Sequence, residues 1–356
     1  MVSLQTIRAN NASLKTLGPE LVAVFGTFSL LSPYVCLTVG GTSGIGETAA
    51  REFVRHTLAP RVYLIGRSEA QASRIVSELS KLNPDGKVSF IKSDISLLRG
   101  VDKACDEIKG KESRVNLLFL SAGILTSKGR DETAEGLDKK FSLHYYSRMR
   151  FIYNLLPQLN AAATSSTDAN NDGRLSRVVS VLSPGREGRL LLDDLSLKSN
   201  YSLANCAAHA CTMNSLAVGE LAASNPETSF IHAYPGAVKT NADREFGPLV
   251  RLAISLLMLS FWPWVVPLPE CGERHVYAAT STAFPPKAAG GKEAEKAAVG
   301  ADGVKGSGAY LVHWDGSTCG NEKILSDCKS KGAAKKVWEH TLEVFEKICG
   351  QEGGKY

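Results

Sequence analysis

The residues best suited to chemistry in this 356-residue chain are three glycines, Gly40, Gly44 and Gly46, in the run VGGTSGIG. A Gly-x-x-x-Gly-x-Gly turn bends tightly enough for the backbone to approach a pyrophosphate. The amides around Thr42, Ser43 and Ile45, and those opening the next helix, are then free to bond the anion. Glycine turns are common, so the context decides. Here an apolar run precedes the turn and a helical run, ETAAREFVR, follows it, the order that a dinucleotide site requires. The second apolar run ends in Gly66-Arg67-Ser68. NAD-preferring sites place a carboxylate there for the ribose hydroxyls. Arg67 would instead pair with a 2′-phosphate, which points to NADP(H) as the cofactor. The competing reading of Arg67 is a solvated arginine at a strand end.

Such a turn needs a strand to feed it and a helix to follow it, and the chain repeats that alternation. Short apolar runs fall at 34–39, 61–66, 87–92, 115–120, 177–182, 228–234 and 308–314. Most are apolar at four or more consecutive positions, as strands buried on both faces of a parallel sheet are. Helical segments are expected at 47–55, 69–82, 137–159, 201–223 and 335–349. The fold class that follows is α/β: a doubly wound, mainly parallel Rossmann sheet of about seven strands, with helices on both faces and a C-terminal helical extension. The expected organisation is an N-terminal extension (1–33), one dinucleotide-binding domain (34–284) with an apolar lid at 248–269, a low-complexity insertion (285–308), and the last strand and helix of the same domain (309–356). Another polar, turn-rich insertion lies at 161–173.

Two uncharged stretches invite a membrane reading. The first, 21–39, has the length of a span, but 34–39 is needed to feed the glycine turn and the remainder is too short to cross a bilayer. The second, 252–269, is interrupted by Pro263, Pro267 and Pro269, so it reads as a lid that gives a substrate pocket an apolar wall. Membrane contact by this lid is the less favoured alternative. The formal charge of +5, with no basic run longer than two residues, gives a nucleic-acid partner no support. Eight cysteines without a Cys-x-x-Cys pair fit free thiols in a reducing, cytoplasmic compartment, and no metal site is expected.

From about Val35 to Arg274 the chain resembles the short-chain dehydrogenase/reductase family, and five markers appear in the family's order. Asp94 follows the third strand, where the resemblance implies an adenine contact. LSAG at 120–123 stands where the family shows Asn-Asn-Ala-Gly, which makes Ser121 a cofactor neighbour. RVVSVLSPG puts Ser183 at the catalytic serine position, and YSLAN puts Tyr201 at the family's Tyr-x-x-x-Lys. HAYPGAVKT matches Pro-Gly-x-Val-x-Thr, with Val238 near the nicotinamide and Thr240 near the pyrophosphate. The C-terminal third is similar to reductases of fungal secondary metabolism. In that subgroup a run like 21–25 leads straight into the glycine turn. Residues 26–38 therefore read as an inserted block, such as a translated intron, and 21–25 competes with 34–39 for the first strand position.

The resemblance implies a tyrosine hydroxyl that exchanges a proton with the substrate oxygen while a serine hydroxyl holds that oxygen. Free tyrosine titrates near pKa 10, and a lysine one turn on lowers it. In this chain that position is Asn205, which can bond the ribose but brings no charge. Lys198 lies outside the helix row. The family's proton-relay asparagine falls near His144, whose imidazole can relay protons at neutral pH; a packed core histidine is the rival reading. His209 reads as structural. The resulting expectation is an NADP(H)-dependent ketone/alcohol oxidoreductase acting on an apolar, secondary-metabolite substrate, with Tyr201, Ser183, Asn205 and His144 at the site; a homo-oligomer is compatible with this. The alternative is a Rossmann-fold non-redox catalyst or cofactor-binding pseudoenzyme, motivated by the missing lysine.

Overall fold

The computed structural model of the chain describes residues 1–26, 44–164, 175–238 and 265–356. Seven strands form one sheet, all parallel: β1 (Val22–Gly26), β2 (Arg61–Gly66), β3 (Lys87–Lys92), β4 (Leu117–Leu120), β5 (Arg177–Val181), β6 (Ser229–Ala233) and β7 (Ala309–Val312), in the order β3-β2-β1-β4-β5-β6-β7. The order reverses between β1 and β4, which opens a crevice at the carboxyl ends of the strands.

The first strand corrects the sequence reading. The central slot belongs to Val22–Gly26, not to 34–39, which lie outside the described residues. Val22, Ala23, Val24 and Phe25 are all at most 2% exposed, and Phe25 stacks on Phe119 at 5.3 Å. The strand's start is fixed by Asn116, whose side chain accepts from the Val22 amide while its own amide donates to the Val22 carbonyl. A slot hydrogen-bonded on both sides admits one segment, so the competition is won by the run nearer the N-terminus.

The remaining strands and the five expected helices lie within about five residues of their apolar runs, and the chain adds helices at Leu4–Ala12, Leu98–Lys109, Leu268–Thr280 and Glu322–Ser330 that the sequence reading did not assign. Among the described residues, one face of the sheet is covered by α1 (Leu4–Ala12), α2 (Gly44–His56) and α3 (Glu69–Leu82). The other carries α4 (Leu98–Lys109), the short α5 (Lys139–Phe141), a widened turn at Ser142–Tyr146, α6 (Ser147–Thr164) and α7 (Leu203–Ser224). Further on, α8 (Leu268–Thr280) returns to the first face. The segment expected to be a featureless insertion at 285–308 contains α9 (Gly291–Lys296), and the chain continues through α10 (Glu322–Ser330) to α11 (Ala333–Cys349). Strand residues alternate between two cores: Val22 and Val24 face α4, α6, α7 and α11, while Ala23 and Phe25 face α2 and α8. The expected lid falls at 248–269, of which 248–264 lie outside the described residues.

Candidate active site

A cavity of about 300 Å³ opens at the carboxyl ends of the strands, beside the reversal of strand order. Its wall is mostly apolar, with Ile45, Ile124, Leu125, Val181, Leu182 and Val238. The polar residues that reach it are Ser121, His144, Arg148 and Ser183.

Ile45 comes from the start of α2. Gly44, the residue before it, has φ +70°, a left-handed conformation that glycine adopts without strain. Gly40, Thr42, Ser43 and Thr240 lie outside the described residues. Gly46 is buried one residue further along α2. Arg67 follows β2 and its guanidinium lies 3.5 Å from Asp94, which follows β3. Burial brings the Arg67 guanidinium down to about 10, and Asp94 opposes that shift. Asp94 also accepts from the amide and hydroxyl of Ser96.

Ser121 follows β4. Its hydroxyl is buried and has no hydrogen-bonding partner among the described residues. A buried orphan hydroxyl that lines a cavity is what a missing ligand atom leaves behind. With Gly44 and Ile45 opening the helix across the same cavity, the residues fit a nicotinamide cofactor.

Ser183 follows β5 and is held through its main chain. Its amide donates to His232 Nε2 at 3.3 Å, and its carbonyl accepts from Cys211 Sγ at 2.9 Å. Behind His232 runs a chain of polar contacts: His232 Nδ1 meets Ser215 Oγ, which donates to Glu187, and Glu187 accepts from the amides of Gly185 and Asn321. These bonds fix the loop that carries Ser183 and set its hydroxyl beside the Cys211 thiol.

His144 sits in the widened turn before α6. Its Nε2 accepts from the Ile124 amide at 3.1 Å, so the neutral ring carries its proton on Nδ1. The ring fits because residue 123 is glycine; a Cβ there would lie 2.8 Å from Nε2. Burial, with Arg148 and Lys140 adding positive charge, pushes the imidazole down to about 3. At neutral pH burial therefore keeps the His144 ring in its neutral form.

Tyr201 and Asn205 are not brought to the cavity. The face of α7 that lines it carries Ala207 and Ala210. Asn205 donates to the Asn200 carbonyl at 2.8 Å, and Ser202 caps the helix. The Tyr201 hydroxyl is sealed from solvent; Cys206 and Asp138 stand beside it, but among the described residues none meets it in good hydrogen-bonding geometry. Lys140 lies over the ring at 5.5 Å but is paired with Asp138 at 3.3 Å. Burial drives the phenol well above its ordinary range, and Cys206 and Asp138 add to the shift. Lys198 stands over the ring of Tyr356, and His209 is buried between Leu191 and Leu195.

Arg148 was not singled out by sequence reasoning. It is 2% exposed, and its guanidinium donates to the carbonyls of Leu143, Val181 and Ala122 and to Ser180 Oγ. A signal was available. Arg148 falls in the stripe Phe141, Tyr145, Ile152, Leu155 and Leu159 that α6 and the turn before it bury, whereas Arg150 falls off it and pairs with Asp102.

The short chain dehydrogenase family matches residues 34–247. An oxidoreductase of Emericella nidulans is 40% identical over 97% of this chain and 98% of its own. The oxidoreductase andH of Emericella variicolor is 37% identical over 98% of each. The chain belongs to the short-chain dehydrogenase family. It is accordingly an oxidoreductase that uses a nicotinamide cofactor and acts on a small molecule. The fold agrees with that of the NADPH-bound carbonyl reductase from chicken fatty liver, at TM-score 0.53 and 15% identity over 85% of this chain and 100% of the other. Among the described residues no helix is long and apolar enough to cross a membrane.

Proposed function

We propose that this protein is an NADP(H)-dependent reductase, working in a reducing cytoplasmic compartment, that interconverts an apolar ketone of secondary metabolism and its alcohol. The observation that carries this reading is the cavity at the ends of β4 and β5, apolar except for Ser121, His144, Arg148 and Ser183. Arg67, where an NAD site would hold a carboxylate, favours the phosphorylated cofactor, as does the NADPH-bound structural neighbour.

Bound in the cavity, the cofactor supplies hydride transfer. The protein's part is to hold the substrate oxygen and manage its charge. Ser183 Oγ–H and His144 Nδ1–H donate to that oxygen, and the guanidinium of Arg148 beneath them favours the negative charge that grows on it as the carbonyl is reduced. The alkoxide takes its proton from the Ser183 hydroxyl, which recovers one from solvent. Tyr201, the family's acid/base, is sealed away with a raised pKa and is not assigned this step.

The test is a titration of the purified full chain with NADPH, followed by turnover on a panel of bulky ketones. Binding with NADPH consumption supports the reading. A second reading, a cofactor-binding protein without redox turnover, is favoured by the sealed Tyr201 hydroxyl and the uncharged Asn205. It requires NADPH binding without consumption on every ketone.

A further inference from the structure

Among the described residues the arginine under the cavity has no counter-ion. None of the residues lining the cavity is Asp or Glu, and Arg148 makes no ion pair among the described residues. Glu187, which shares the loop of Ser183, is taken up by Gly185, Ser215 and Asn321. The flanking histidine is neutral. Of the five guanidinium N–H groups, four are used: one from Nε, two from Nη1 and one from Nη2. The second N–H of Nη2 has no acceptor among the described residues.

A buried cation without an anion is costly unless its N–H groups are bonded, and an anionic ligand at a spare N–H would offset that cost. A guanidinium with one N–H to spare, in an otherwise apolar cavity whose Ser121 hydroxyl is left to the cofactor, defines the chemistry of the substrate. On the reading of the protein as a ketone reductase, we propose that its substrate is an apolar ketone bearing an acidic oxygen, bound as the anion against Arg148. The acidic group would be a carboxylate or a phenol acidified by conjugation. The apolar wall holds the carbon skeleton, and Ser183 and His144 hold the reacting carbonyl.

The probes are 2-naphthoate and its uncharged isostere 2-naphthamide, titrated into the full-length protein by calorimetry at pH 7.5, with and without saturating NADP⁺. Wild-type protein is expected to bind the carboxylate at least tenfold more tightly than the amide. Arg148→Met is expected to abolish the preference while keeping its amide affinity, and Arg148→Lys to restore part of it. Equal binding of the two probes by the wild type, or a preference that survives in Arg148→Met, overturns the proposal. If Arg148→Met does not fold, the wild-type comparison decides alone. Turnover of neutral ketones, measured on the same preparations, separates the two failures. NADPH consumption without anion preference removes only the substrate class. Anion preference without NADPH binding removes the reductase reading.

Discussion

The two ends of β5 are plugged alike. At its amino end Arg177 is 4% exposed and donates to the carbonyls of Ala278, Ser281 and Phe284. At its carboxyl end Arg148 donates to Leu143, Val181 and Ala122. Among the described residues neither meets a carboxylate, and both tie main-chain acceptors of helix or loop to the sheet. They differ in what lies beyond. Arg148 lines the 300 Å³ cavity, whereas Arg177 is closed over by the segment that carries Ala278, Ser281 and Phe284. The comparison shows that a buried arginine is by itself an architectural clamp. It becomes a ligand-binding group only where an unsatisfied N–H meets open space.

Replacing each arginine in turn breaks the pair apart. Each plug bonds three carbonyls, but at the Arg177 end the Phe284 carbonyl keeps the Ser229 hydroxyl and the Ser281 carbonyl keeps the Phe284 amide. An orphaned buried carbonyl costs about 1–3 kcal/mol, so Arg148→Met should lose on the order of 3 kcal/mol in urea unfolding and Arg177→Met less. Anion binding should suffer only in the first. If Arg177→Met also lost the naphthoate preference, the contrast between open and closed ends would collapse.

The response to acid sharpens the same contrast. His144 is held near 3 and His232 well below its ordinary value, by burial first and by Arg148 next. Their folded pKa values lie below the unfolded value, near 6.5, so on acidification the unfolded chain takes up protons first. The stability they contribute is complete above pH 6.5 and is lost as pH falls toward 3. For His144 alone the loss is about 2 kcal/mol at pH 5. His209, His275 and His340 are also depressed by burial and add a common background. Lys140 acts on His144 as well and remains in both variants. Unfolding midpoints between pH 7.5 and 4.5 should fall less steeply in Arg148→Met than in wild type. They should fall as in wild type in Arg177→Met. Parallel slopes in all three would deny Arg148 its field in the cavity.

A smaller effect concerns how the open end is supplied. β1 ends at Gly26, yet the family match opens at residue 34 and α2 begins at Gly44. Two apolar runs precede one turn, and only one can hold the slot between β2 and β4. We expect a variant lacking residues 26–38, in which Phe25 leads directly into Val39, to fold and to bind NADPH a few-fold more tightly by fluorescence titration. Loss of the fold would make the block integral. Transcript sequencing bears on its origin: an uninterrupted coding frame through it would dispose of a retained intron.

Most of the sheet was legible because strands buried on both faces need continuous apolar runs, and 61–66 and 87–92 match β2 and β3 residue for residue. The first strand was not, because 21–25 and 34–39 satisfy the same local requirement and only the pairing of Val22 with Asn116 separates them. At the site, Ser183 and Ser121 could be placed from the ends of their strands. Tyr201 could not, because a motif gives a position along the chain and not the direction of a side chain. Here the ring turns toward Lys140, Asp138 and Cys206. Arg148 escaped because an arginine in a helix reads as surface until its place in the buried stripe is counted.

The central claim is that the groups lining the cavity, and not the sealed phenol, handle the substrate oxygen. Steady-state turnover of one neutral ketone with NADPH, compared between Ser183→Ala and Tyr201→Phe, tests it most directly. The account predicts a loss on the order of 100-fold in kcat for Ser183→Ala, the scale of removing one donor from a developing oxyanion, with NADPH binding intact. It predicts that Tyr201→Phe stays close to wild type. A Tyr201→Phe enzyme that binds NADPH but no longer turns over, beside an active Ser183→Ala, would contradict it.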